Sequence, residues 1–410
     1  MSELDLGNPA TYEHGYPHEL FSRLRREDPV AWSAEPADGA FPGGPGFWVV
    51  TRHADVVTAG KRPDVFSSYE GGTFIRDSPP HLLREARKAM LNQDPPEHAT
   101  MRRIVGKAFT PRVVRDMAAS METHARNIVE SLEPDREFDL VDRFSAEMPI
   151  LVLADLLGVP SSDRRLLYEW TNQMVGGGDP AAITNPASYA KAFVELFAYA
   201  EELTAQKRAN PGEDLWSTVV NAEVDGERLD DESLRRFFQL LVIAGNETTR
   251  NLLTGFVLLM AQHPDQLRLL REDKELWPNA IEEVLRYHSP VTQFRRTAIA
   301  DFELSGRQIK AGDKVVLSFA SANRDEDVFE DAQKFDITRA DNPHLAFGAG
   351  QHFCLGNAVA RAEARTILPV LYQRFGQIQI TGEPVLQRSS FINGIEALPV
   401  QVSVNAEVSA

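Results

Sequence analysis

The chain's one cysteine, Cys354, stands in the run Phe347-Gly348-Ala349-Gly350-Gln351-His352-Phe353-Cys354-Leu355-Gly356, just ahead of a helical pattern from Asn357 to Phe375. A helix start favours a thiolate over a thiol, and glycines at 350 and 356 allow a tight turn whose amide N–H groups can point at the sulfur. That arrangement suits an anionic sulfur ligand. A lone cysteine is more often a small buried hydrophobe. Structural zinc is disfavoured, because such a site takes a full set of Cys and His ligands and there is no second cysteine. A Cys–His nucleophile stays open, with ten histidines in the chain, although Phe347 and Phe353 hem the sulfur in. The spacing favours a single soft axial ligand to a metal cofactor.

A second polar group sits where polarity is costly. The apolar runs Phe237 to Ala244 and Leu252 to Met260 flank Gly245-Asn246-Glu247-Thr248-Thr249-Arg250-Asn251. A carboxylate and two hydroxyls in the middle of a buried helix must be paired or wetted. Ala244 and Thr248 share a face, Gly245 removes a side chain where something bulky could approach, and threonine can bond a carbonyl one turn back, opening the helix to a water or small ligand. A partly exposed polar stripe on a long helix accounts for the same residues equally well. A third signal, Glu283-Val284-Leu285-Arg286, places acid and base three apart on a helix, where they can pair; alone, that spacing is common.

These residues need elements to position them. The longest helix is expected from Ser233 to Gln262, opening after acidic residues 229–232 and closing before Pro264; at 1.5 Å per residue it spans roughly 45 Å and must pass through the core. Helical periodicity dominates from Leu82 to Arg286. Strand-like alternation is confined to Phe47 to Thr51, Thr297 to Leu304, Lys314 to Phe319 and Leu398 to Val404. Ser321 to Gly350 has no period and reads as an irregular meander. Pro36 to Gly46 and Gly176 to Pro180 look like loops within one fold. No repeat or linker is visible, so the expected fold is mainly α with small β-sheets (α+β) in one domain, residues 1–410.

Composition narrows the function classes. Among 410 residues, 43% hydrophobic and 25% charged argues against a largely disordered chain, and 43 Lys+Arg against 60 Asp+Glu leaves a net charge of −17. Nucleic acid and anionic membrane are poor bulk partners for such a surface. One cysteine makes no intrachain disulfide. The first residues lack the basic and apolar regions of a signal peptide, and no long unbroken apolar stretch occurs. The expectation is a soluble, cytoplasmic protein.

Taken together, the motifs resemble the cytochrome P450 family over nearly the whole chain. Phe347, Gly350, His352, Cys354 and Gly356 match its haem-binding loop, Ala244-Gly245-Asn246-Glu247-Thr248-Thr249 its oxygen-activating helix, and Glu283, Arg286 and Arg339 its structural triad, in the same order and at similar spacing. The resemblance implies that Cys354 is the thiolate ligand to the iron of haem b, the sulfur donating electron density in the way for which the family is known. Glu247 and Thr248 would be the acid–alcohol pair that relays protons. His98, Arg102, Arg296 and His352 would hold the haem propionates, Arg296 being exchangeable with Arg295, while Ala244, Gly245, Phe347, Gly348 and Gly356 would border the macrocycle.

The implied activity is a monooxygenase that spends O2 and electrons to hydroxylate an apolar molecule. The chain has no dinucleotide or iron–sulfur motif of its own, so electrons from NAD(P)H would arrive through a ferredoxin reductase and a ferredoxin, with Arg103, Lys107, Arg112 and Arg115 as a docking patch or simply a solvated helix face. The wording of residues 247–251 and 342–347 looks most like actinobacterial members that oxidise sterol side chains and methyl-branched lipids; related members take terpenoids. Substrate contacts would come from Phe74, Ile75, Met174, Val175, Ile243, Ala244, Val291, Thr292, Phe294, Phe391 and Ile392, with Gly176 to Gly178 as a lid hinge. The chain is expected to act as a monomer. Peroxide-driven oxidation is disfavoured by the presence of both Glu247 and Thr248, and a non-enzymatic haem-fold recruitment module should lack that pair.

Overall fold

The computed structural model describes residues 4–37, 42–174, 185–224 and 226–405. Its organising element is the helix Asp231–Gln262. It starts two residues earlier than the periodicity suggests because the Asp230 side chain caps it, accepting from Ser233 N at 2.7 Å. Apolar side chains are buried on it from Leu234 to Met260, and helices Glu147–Leu157, Pro186–Ala209, Trp277–His288 and Asn357–Arg374 pack around it. Their buried faces merge into one apolar core running from Met90 to Val402.

A five-stranded sheet stands beside this bundle. Phe47–Val50 pairs antiparallel with Val30–Ser33 and parallel with Lys314–Ser318, which pairs antiparallel with Gln293–Ala298, and Phe66–Ser67 closes the edge. The central strand Lys314–Ser318 is buried at every position; its lysine is tolerated there because Glu35 and Asp77 lie 2.7 and 2.8 Å from Nζ.

Three expectations need correction. Thr297 to Leu304 is not one strand: the chain leaves the sheet at Ala298, turns through an exposed Ile299, and resumes as Phe302–Leu304 in a separate two-stranded hairpin with Arg307–Ile309. The sheet strand begins at Gln293, where Arg295 and Arg296 disguise it as polar although both are buried. The helical stretch 82–286 is interrupted by Glu137–Asp139, which pairs with the distant strand Pro399–Val404, itself paired with Phe375–Ile380.

Of the meander expected from Ser321 to Gly350, Ser321 and Ala322 belong to the short helix Phe319–Ala322 and Gly350 opens a 3-10 turn; the rest contains no strand, as expected, yet it is not loose. Arg286 donates from Nη1 to the carbonyls of Asn323 and Ala332, both at 2.8 Å, and from Nη2 to that of Lys334 at 2.9 Å. Glu283 holds Arg286 with two 2.8 Å bonds and also accepts from Asp336 N and Asn342 Nδ2, with Arg339 Nε at 3.3 Å. Glu283 and Arg286 are fully buried. One charged pair therefore satisfies the backbone that a sheet would otherwise satisfy. Gly176 to Gly178 and Val175 lie outside the described residues.

Candidate active site

Cys354 ends an irregular loop whose shape is set by two glycines at positive φ, Gly348 and Gly350, each at 73°. Gly350 has a second reason to be glycine, since a Cβ there would lie 2.0 Å from the carbonyl oxygen of Gly60 at the end of helix His53–Gly60. Cys354 N donates to Phe347 O at 2.9 Å, and the amides of Gly356 and Asn357, at the start of helix Asn357–Arg374, donate toward the sulfur. These amides are the ones expected from the sequence, but they do not prevail. Burial pushes the Cys354 thiol up, while Gly356, Arg102, Arg361 and Asn357 pull in the other direction. A sulfur anion at this depth calls for a cation against it.

A backing layer that sequence reasoning missed braces the loop. Burial works to raise the carboxyl of Glu282, but bonds from His344 and Arg361 outweigh it and bring it to about 2. The Arg361 guanidinium so held lies 4.4 Å from the ring centroid of Phe347.

A cavity of about 310 Å³ is bordered both by Cys354 and by the helix Asp231–Gln262. Thr248 Oγ1 donates back to Ala244 O at 2.8 Å, the local bond anticipated from its spacing. Glu247 is buried, accepting at Oε1 from Gln387 Nε2 at 3.2 Å, with Arg250 Nη2 at 3.9 Å. Ala244, Gly245, Glu247, Thr248, Cys354 and Gly356 all border this one space.

One end of the cavity is cationic and underpaired. His98 and His352 sit with ring centroids 4.2 Å apart. Arg102 and Arg296 border the same space, and among the described residues neither has a carboxylate within ion-pair distance. Burial, with help from neighbouring guanidiniums, lowers His98 to about 4 and His352 to about 2; burial alone lowers Arg296 to about 10, against the pull of Asp94. The buried Nε2 of His98 has no hydrogen-bond partner. Arg295, the alternative to Arg296, is spent elsewhere, on Asp77 and the carbonyls of Phe74 and Ile75. Desolvated donors of this kind fit an anionic group such as a pair of propionates.

The donor set therefore fits haem. There is one sulfur ligand on one wall and a cluster of cationic and imidazole donors at one end. Both faces are open: a Cβ on Gly356 would meet nothing within 4 Å, and one on Gly245 only Leu153 at 3.7 Å. Bound there, haem would supply the iron chemistry that reduces dioxygen. The chain's own part would be to hold the macrocycle, exclude water and present an acid and a hydroxyl to the same cavity.

Of the proposed substrate contacts, Phe74, Ile243, Ala244, Val291, Phe294, Phe391 and Ile392 border the cavity. Phe74, Phe294 and Phe391 form one aromatic wall, with centroids 5.1 and 5.3 Å apart. Three others do not border it. Ile75 turns into the cluster around Phe47, Met174 is buried in the helical core, and Thr292 uses its hydroxyl on Ser390 O at 2.6 Å. A buried acid was missed: Glu363 on helix Asn357–Arg374 borders the cavity, its Oε2 has no partner, and burial pushes its carboxyl well above the usual range. Its signal was a carboxylate four residues after Val359 and four before Ile367 on the helix face that packs inward. Of the basic patch, all four residues are exposed, but Arg103 lies 4.0 Å from Glu227, Lys107 donates to Glu223 O and Arg112 lies 3.7 Å from Asp116.

The family model described as Cytochrome P450 matches residues 184–389. The chain is 42% identical to a methyl-branched lipid omega-hydroxylase of Mycobacterium tuberculosis over 93% of its own length and 90% of the relative's. It is 38% identical to a linalool 8-monooxygenase of Pseudomonas putida over 98% of its own length and 99% of the relative's. Among solved structures, a Mycobacterium marinum cytochrome P450 in complex with pseudoionone superposes with a TM-score of 0.89 at 38% identity, covering 97% of this chain and 98% of the other.

Proposed function

Since the chain belongs to the cytochrome P450 family and is a monooxygenase of apolar molecules, we propose that it hydroxylates a methyl-branched hydrocarbon chain of the branched-lipid, terpenoid or steroid side-chain type. The observation that carries this reading is that Glu247 and Thr248 border the same cavity as Cys354, and that most of the rest of its lining is apolar and aromatic. Linalool and pseudoionone, named for two of the similar proteins, are themselves methyl-branched chains.

In this reading, Cys354 holds the iron of haem b, His98, Arg102, Arg296 and His352 hold the propionates, and the whole chain serves as one haem domain. Glu247 would take up protons and Thr248 would pass them on into the cavity, its hydroxyl here donating to the Ala244 carbonyl. Electrons come from NAD(P)H through a reductase and a ferredoxin. The docking face lies near the cysteine loop, where Arg112, Arg115 and Arg365 are outward and Phe353 is 39% exposed. Cations around an apolar centre suit an acidic ferredoxin. No helix of the described residues is long and apolar enough to cross a membrane.

The test is to titrate purified holoenzyme with methyl-branched alcohols, acids and sterols. A shift of the haem from low to high spin is expected, followed by terminal hydroxylation with NAD(P)H, a reductase and a ferredoxin. Thr248→Ala should keep the spectrum but divert oxygen to peroxide. Turnover with peroxide and none with any ferredoxin system, or full coupling in Thr248→Ala, would overturn the reading.

A further inference from the structure

Glu247 is 6% exposed, and an acid so deep in a helix bundle needs a donor. The groups around it come from several elements. Arg250 lies on its own helix with Nη2 3.9 Å from Oε1, and Gln387 donates from Nε2 to that same oxygen at 3.2 Å. Glu363, Cys354, His98, His352, Arg102 and Arg296 border the cavity from other walls. Of these groups, Gln387 is at hydrogen-bond distance from the carboxylate.

Gln387 follows strand Val385–Leu386 in the hairpin completed by Ile395–Ala397. Its backbone is clamped, with N donating to Gly394 O at 2.9 Å and O accepting from Ser389 N at 3.0 Å. Space for its side chain is specifically provided: a Cβ at residue 394 would lie 2.1 Å from Gln387 Oε1. The amide is buried, and its Oε1 has no partner, so Gln387 is not serving a wider network from that end. A second tie joins the same hairpin to the same helical turn, for Ile395 N donates to Asn251 Oδ1 at 2.9 Å and Asn251 Nδ2 to Glu247 O at 3.0 Å.

We propose that Gln387 is the positioning residue for the relay acid. Its amide fixes one carboxylate oxygen of Glu247 and so sets the orientation of the acid next to Thr248. As a neutral donor it favours the ionised acid over the protonated one, and because an amide does not titrate, the donor itself is present at every working pH. The assignment rests on the reading of Glu247 and Thr248 as a relay.

The test uses holoenzyme carrying Gln387→Met, which keeps the length and bulk of the side chain and removes the donor. The carboxyl stretch of Glu247 is followed by infrared titration, with Glu247→Gln as the subtraction that separates it from Glu363. The band is expected to titrate about one pH unit higher in Gln387→Met, since a hydrogen bond to a charged group and one pH unit are of similar size in free energy. The pH limb of coupled turnover should move with it, and product per oxygen should fall several-fold. A band and a limb that stay at the wild-type pH, with only the melting temperature lowered, would overturn the proposal. The infrared measurement needs no turnover. If Thr248→Ala shows that the pair relays no protons, a shifted band still upholds the tie and an unshifted one still refutes it.

Discussion

Beneath the cysteine loop, irregular backbone is anchored to buried charge: Glu283 and Arg286 serve the residues from Asn323 to Asn342, and Glu282 holds Arg361 against Phe347. Between Phe74 and Met90 of the cavity wall, by contrast, helix Pro80–Ala86 buries none of its residues. It is held by ion pairs of Glu85 with Arg236 and of Lys88 with Glu85 and Glu232, all but Arg236 well exposed. Buried pairs are costly to break, and exposed ones contribute little and are screened by salt. The part proposed to hold the cofactor is thus over-determined, and the exposed helix beside the cavity is tethered by contacts that water can replace.

The sharpest way to break this contrast is at its centre. Cys354→Ser should abolish both turnover and the thiolate-shifted spectrum of the ferrous carbonyl form, and an unchanged spectrum would show that sulfur is not the ligand. Next in size is Arg286→Met, which strands Glu283 and three carbonyls. A loss of about 3–5 kcal/mol is expected, read as a large drop in melting temperature and in haem content.

A third test uses pH. His288 ends helix Trp277–His288 against Gly255, its Nε2 is buried without a partner, and burial, reinforced by Arg324, lowers it to about 4. The folded state keeps it neutral while the unfolded state binds a proton below about 6.5, so stability is full above pH 6.5 and falls as pH drops toward 4. His288 alone accounts for roughly 3 kcal/mol of that decline, and His288→Asn should flatten the acid limb of the stability curve. The smallest effect is expected on the other side: Glu85→Gln should leave the melting temperature unmoved while making substrate association faster and less dependent on salt. If it instead destabilised the fold as Arg286→Met does, the contrast would be wrong.

What could be read from the sequence divides along similar lines. The cysteine loop, the long helix and the Glu283–Arg286 pair announce themselves locally, through glycines, caps and three- or four-residue spacings. Gln387 does not, because it sits in a short hairpin and meets Glu247 across 140 residues, a contact no periodicity encodes. The strand from Gln293 was hidden by two arginines whose burial depends on Asp77 and the cavity, both remote. The sulfur's acidity was misjudged for a related reason: helix-start amides are visible in the sequence, whereas depth of burial is a property of the assembled walls.

The strand-free segment held by Arg286 has a consequence for how this chain tolerates added length. Its anchors are discrete points, with carbonyls at Asn323, Ala332 and Lys334 and donors at Asp336 and Asn342. Extra residues spliced in beside exposed Ala340 and Asp341 would bulge outward and leave each anchor where it is. The same splice at Gln333 would drive apart two carbonyls that must reach a single guanidinium, and the floor under the cysteine loop would go with them.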